Sequence, residues 1–160
     1  MPLSPGDRAP DFELYGKTAG DAPKYRLSDA LAGGGVVLQF FPLPFTGVCG
    51  AQMCSVRDSI GAYEGLTVWG VTGHYPQLIA AWDKENNFDV PILADYDHEV
   101  SRRYVGLYED PLPSGLRYCS KRSVVAIGSD GLVKYLWTTE APGIAPDQGV
   151  VTEAIEAGRS

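Results

Sequence analysis

The chain has 160 residues, 20 of them acidic and 13 basic, for a formal net charge of -7. That length suits one domain, residues 1–160, able to bury its own core. A hydrophobic content of 44% with 21% charged residues excludes disordered, fibrous and membrane classes. Nucleic-acid-binding proteins carry basic patches that neutralise phosphates, so the acidic excess implies no nucleic-acid partner. The opening residues MPLSPGDRAPDF have no apolar leader, and no stretch approaches the roughly 18 apolar residues of a membrane span. A cytoplasmic protein without a membrane partner is therefore expected. Three cysteines, an odd number, fit a reducing compartment. There a close cysteine pair is more often catalytic, redox-active or metal-binding than structural.

In chain order, the first strong signal is VVLQFF, Val36 to Phe41, a nearly continuous apolar run that is β-branched at its start and reads as a central strand covered on both faces. A helix is predicted over TGVCGAQMCSVRDSIGAYEG, with Thr46 as N-cap, Val48, Met53, Val56 and Ile60 near helical spacing, and Gly65 closing it. LTVWGV, Leu66 to Val71, is a second buried strand. YPQLIAAWDKENN is a helix with Leu78, Ile79 and Trp82 on its inner face. VPILAD is a short strand and DHEVSRRYVGL a helix. SVVAIGSDGLVKYLW is a hairpin turning at Asp130-Gly131, and Pro146 to Ala157 a final amphipathic helix. Strand–helix alternation ending in a hairpin predicts an α/β layered sheet with helices on both faces. Met53 and Val56 read as core residues, and Trp69, Trp82, Tyr104 and Trp137 as core or dimer contacts.

Two cysteines, Cys49 and Cys54, follow the first strand five residues apart, a spacing that suits neither a CxxC redox pair nor a usual zinc pair. Cys49 falls in the first turn of the helix, beyond the carboxyl end of a central strand, where α/β sheets place their chemistry. Unpaired N–H groups and the positive end of the helix dipole there favour a nucleophilic thiolate. On an ideal helix, residues five apart are separated by about 7.5 Å of rise and about 140° of rotation, so their Cα atoms lie roughly 8.7 Å apart. That exceeds the ~7 Å limit for a disulfide. Bonding of Cys49 to Cys54 therefore requires the helix to unwind, and Gly47 and Gly50, poor helix formers, sit where unwinding would begin.

Pro42, Thr46 and Cys49 form a PxxxTxxC signature, and with it the chain resembles the peroxiredoxins. Gln52 and Cys54 resemble the bacterioferritin-comigratory, or PrxQ, branch, and FFPLPFTGVC also resembles the one-cysteine AhpE-like branch. The resemblance runs from GDRAPDFEL through VWGVTGHYPQLIAAWDKENNFDVPILAD to KRSVVAIGSDGLV. It implies a thioredoxin-like fold with a central mixed sheet, and reduction of hydrogen peroxide or organic hydroperoxides. By the resemblance, Cys49 is the peroxidatic thiolate and Thr46 holds the peroxide and the sulfur. Pro42 shields the site, Arg122 stabilises the thiolate and the developing charge, and Cys54 resolves the sulfenic acid as a disulfide.

The resemblance further implies no cofactor, a thioredoxin, a glutaredoxin-like protein or a low-molecular-weight thiol as reductant, and a monomer or homodimer. Gly50 and the pair Gly73-His74 depart from the branch pattern, which has Thr and a Ser-Asp type pair there. Cys119, three residues ahead of Arg122, is the alternative resolving thiol, although an uninvolved cysteine is the simpler reading. A zinc site from His74, His98 and the cysteines is disfavoured by their spacing. Resolution by an external thiol alone, and a redox-sensing or binding module without turnover, are the competing functions.

Overall fold

The computed structural model describes residues 2–16, 24–112 and 115–158. Nine strands and five α-helices follow one another in the described residues. They begin with β1 (Glu13–Tyr15), β2 (Lys24–Arg26), α1 (Leu27–Leu31), β3 (Val36–Phe40) and α2 (Gly47–Asp58). After a 3-10 turn over Ile60–Tyr63 come β4 (Thr67–Thr72), α3 (Pro76–Asn86), β5 (Ile92–Ala94) and α4 (Glu99–Tyr104). The chain continues through β6 (Leu107–Tyr108), β7 (Cys119–Ser120), β8 (Ser123–Ile127), β9 (Val133–Thr138) and α5 (Gln148–Gly158). Seven strands form one sheet in the order β2-β1-β5-β4-β3-β8-β9, and β6 pairs with β7 in a separate ribbon. β3, β4 and β5 run parallel and their flanking partners antiparallel, so the sheet is mixed.

Side chains along a strand alternate between faces, and β3 shows the consequence. Val37 joins the core that includes Met53, Val56, Ile79, Trp82 and Val151 from α2, α3 and α5. Val36, Leu38 and Phe40 join the opposite core with Leu27 of α1 and Val100 and Tyr104 of α4. Helices therefore cover both faces, and β3 is buried throughout, as its apolar run predicts. Trp69, Trp82 and Tyr104 are core residues and Trp137 packs on the core from its edge.

The helix predicted through Gly65 stops as α2 at Asp58 and gives way to the 3-10 turn. α3 starts at Pro76, whose missing N–H costs nothing in a first turn, and ends at Asn87 in the left-handed conformation. Leu78 is a correction: it is 42% exposed. The buried stripe runs through Ile79 and Trp82, and Leu78 lies about 100° round the helix from Ile79, on the solvent flank. The hairpin is confirmed. Gly131 sits at φ 82 and its N–H donates to the Gly128 carbonyl at 2.8 Å, while the Gly128 N–H donates to Leu132 at 2.9 Å. The elements unforeseen from sequence, β1, β2, α1, β6 and β7, have two to five residues each, too few to display a period.

Gly70 of β4 lies under α2. A Cβ there would meet Met53 Cε at 3.1 Å, Ile92 Cγ1 at 3.2 Å and Phe41 Cε1 at 3.3 Å. Gly70→Val is therefore expected to lower the unfolding free energy by about 1–3 kcal/mol through overpacking. Urea denaturation at constant m-value measures it.

Candidate active site

The site assembles where β3 and β8 end together. Their antiparallel register pairs Phe40 with Ser123, so the residues leaving β3 emerge beside the residue entering β8, which is Arg122. The chain from Phe41 to Thr46 then turns into α2, with Phe45 at φ 61, a conformation few side chains adopt, directly ahead of the helix. Thr46 occupies the N-cap position in extended conformation, but its side chain does not cap the helix. Its hydroxyl donates back to the Leu43 carbonyl at 2.8 Å. No side-chain acceptor thus covers the first-turn amides of α2, the turn that carries Cys49.

Cys49 is 1% exposed and Arg122 2% exposed. The Arg122 Nη2 donates to Cys49 Sγ at 3.2 Å, Nη1 to Gln52 Oε1 at 2.9 Å, and Nε to the Pro142 carbonyl at 3.0 Å. The backbone N–H of Arg122 donates to the Tyr108 hydroxyl at 3.1 Å. Three acceptors thus hold both edges of the guanidinium. A pocket of about 300 Å³ opens above Cys49, lined by Pro42, Leu43, Thr46, Val48, Leu112 and Pro142 among others. Its walls are mostly apolar, and the Arg122 guanidinium meets the sulfur at its base.

The structure brings Pro42, Thr46, Cys49 and Arg122 around one pocket, and Cys54 does not line it. Cys54 lies on the same unbroken helix as Cys49, half-buried against the core beneath α2. Cys119 is buried beside Leu43, Leu112 and Tyr108, so its cluster shares two residues with the pocket wall. Burial pushes the Cys119 thiol up, and the nearby Cys49 adds to the rise.

Tyr108, Pro142 and the amide of Gln52 are contacts of Arg122 that the sequence reading did not assign. A glutamine inside the buried run VVLQFF was the available signal of a polar network beneath them. Among the described residues no group of three or more His, Cys, Asp or Glu side chains is placed to hold a metal ion.

His74, at the departure from the branch pattern, lies near the Pro42 backbone, which favours its protonated form. The Thr72 hydroxyl donates to the Pro42 carbonyl at 3.5 Å.

Fold and site together define a cysteine-dependent oxidoreductase of the thioredoxin fold. The family model described as "AhpC/TSA family" matches residues 5–136. The chain belongs to this family, the peroxiredoxins. It is 25% identical over 158 residues to alkyl hydroperoxide reductase E of Mycobacterium tuberculosis, covering 97% of each chain. The crystal structure of the peroxidoxin BcpB from Mycobacterium tuberculosis superposes with a TM-score of 0.80 at 26% identity, over 98% of this chain and 97% of that one. The reduced 2-Cys peroxiredoxin of Plasmodium vivax shares the fold, with a TM-score of 0.86 at 22% identity, over 99% of this chain and 83% of that one.

Burial is the largest influence on His74 and lowers its affinity for a proton below the ordinary 6.5. The folded chain therefore binds fewer protons than the unfolded chain in this range, and stability falls as the pH drops through 6.5. The loss in urea midpoint between pH 7 and pH 5 is expected to be smaller in His74→Gln than in the parent protein. An equal loss in both would rule out His74 as its source.

Proposed function

We propose that the protein is a thiol-dependent peroxidase that reduces hydrogen peroxide and organic hydroperoxides at Cys49. The observation that carries this reading is the 3.2 Å contact between Arg122 Nη2 and Cys49 Sγ inside a buried site. The guanidinium sets a fixed positive charge and an N–H donor directly against the sulfur that is to act as nucleophile. The thiolate attacks the distal oxygen of the peroxide, the O–O bond breaks, and the leaving alkoxide or hydroxide takes a proton to become alcohol or water. Cys49 becomes a sulfenic acid, a two-electron oxidation matched by the reduction of the peroxide. Arg122 also faces the oxygen on which charge develops. Thr46 orients the peroxide at the pocket floor, and Pro42 keeps water from the sulfur. The apolar walls of the pocket suit an alkyl group as well as a proton on the second oxygen.

Cys54 then resolves the sulfenic acid. Its thiol displaces water from Cys49 to give a disulfide, which an external thiol reductant returns to two thiols. Because both cysteines lie on α2, this step unwinds the first turns of the helix. The shared packing of Cys119 with Leu43 and Leu112 favours a second reading, in which Cys119 serves as resolving thiol through movement of the β6–β7 ribbon.

Intact mass after one equivalent of hydrogen peroxide tests these roles. Wild type should lose two hydrogens, Cys54→Ser should gain one oxygen, and Cys49→Ser should not change. A disulfide in Cys54→Ser that disappears on adding Cys119→Ser would transfer the resolving role, and an unreactive wild type would refute the peroxidase. Replacing the fork of Arg122 by the point charge of Lys loses at least one of its three acceptors. Arg122→Lys is expected to lower kcat/KM for hydrogen peroxide about 10²- to 10³-fold, measured with any reductant that sustains turnover.

A further inference from the structure

Behind the reactive pair lies a chain of buried amides. Gln39 and Gln52 are fully buried, and Gln148 is 4% exposed. Gln39 occupies the face of β3 that carries Val37, toward α2 and α5. The Gln52 amide nitrogen donates to Gln39 Oε1 at 3.1 Å and to the Phe40 carbonyl at 3.4 Å, while its oxygen accepts from Arg122 Nη1. Gln39 and Gln148 bond reciprocally at 3.1 and 3.3 Å. The Tyr63 hydroxyl accepts from Gln39 Nε2 at 3.4 Å and donates to Gln148 Oε1. Burial pushes the Tyr63 phenol up to about 12, so it keeps the proton it donates.

From these contacts we infer that Gln39 and Gln148 are positioning residues for the Cys49–Arg122 pair, acting through Gln52. Polarity is the argument. Arg122 only donates and the Phe40 carbonyl only accepts, so the amide of Gln52 has one orientation that satisfies both. Gln39 Oε1 reinforces that orientation, and the reciprocal bonds to Gln148 fix Gln39 in turn. The guanidinium is then held by Gln52 on one side and Pro142 on the other, and its remaining amine points at Cys49 Sγ. Both Pro142 and Gln148 belong to the segment that follows β9. The entry into α5 therefore steadies the site from two directions. Three buried amides give little net stability over an apolar filling of the same shape. Their value lies in a fixed direction of charge beside the sulfur.

The test is the pH dependence of Cys49 alkylation by iodoacetamide, in a Cys54→Ser, Cys119→Ser background where Cys49 is the one thiol left. Gln39→Met keeps the volume and removes the amide. Its alkylation profile is expected to move upward by roughly half to one pH unit, slowing the reaction about three- to tenfold on the acid limb of the profile. A folded variant whose profile superposes on the parent overturns the inference. So does uniform slowing at every pH, which reports altered access to the thiol. If Gln39→Met does not fold, Gln148→Met, placed at the first turn of α5, decides by the same criteria. The inference rests on Cys49 and Arg122 being the reactive pair, but alkylation uses no peroxide. A failed peroxidase reading would thus leave the profile informative, and a superposed profile would leave the peroxidase reading intact.

Discussion

The buried guanidinium of Arg122 is the constraint around which the rest of the molecule is arranged. Placing a permanent cation inside a protein costs several kcal/mol unless its charge and all its donors are met. Here the amide oxygen of Gln52 and the carbonyl of Pro142 are neutral, and the sulfur of Cys49 is the contact able to carry a negative charge. Among the described residues no carboxylate lies within ion-pair range of Arg122. On the proposed chemistry the cation and a thiolate at Cys49 complement each other at the base of the pocket, and attack on an electrophile draws on that pairing. On that proposal, activation of the sulfur and burial of the arginine are two descriptions of one electrostatic arrangement.

The sheet makes that arrangement possible. Arg122 and Cys49 are separated by 73 positions, and the antiparallel pairing of β3 with β8 closes the distance. A shift of one residue in that register would turn alternate side chains to the other face. Gln39 would then leave the α2–α5 layer and join the opposite apolar core. The hydrophobic alternation of Val36, Val37, Leu38 and Phe40 between two cores holds the register against such a slip. Apolar packing on both faces of β3 therefore sets the polar geometry at its end.

The same helix must serve two opposed needs on the proposed chemistry. While α2 is intact it points Cys49 at the pocket and Gln52 at Arg122. To join Cys49 with Cys54 it must open over the residues that include Gln52, separating the amide from Arg122 and Gln39. Met53 and Val56, packed under the middle of the helix, anchor its later turns. The glycines at 47 and 50 weaken the turns that would have to move. By helix propensity alone, the weaker turns of α2 are the ones that carry Cys49.

The apolar periods were enough to place the central strands, the three longer helices and the hairpin, and the family resemblance carried by PxxxTxxC singled out Pro42, Thr46, Cys49, Cys54 and Arg122. These features are local: a period of two or of 3.6 residues, or a nucleophile in a first helical turn, is written in neighbouring residues. The three-residue strands β1 and β2 and the β6–β7 ribbon were not legible, because pieces so short exist only through their pairing partners. The exposure of Leu78 was likewise settled by which stripe of α3 packs into the core, the one through Ile79 and Trp82. The acceptors of Arg122 and the amides of Gln39, Gln52 and Gln148 come from β3, α2, β6 and the segment after β9, four separate parts of the chain. By itself the sequence determined which residue could be the nucleophile and which fold would carry it. Only the tertiary structure decided which groups surround that nucleophile, because hydrogen-bond partners tens of residues apart are chosen by strand register and packing and leave no local period to read.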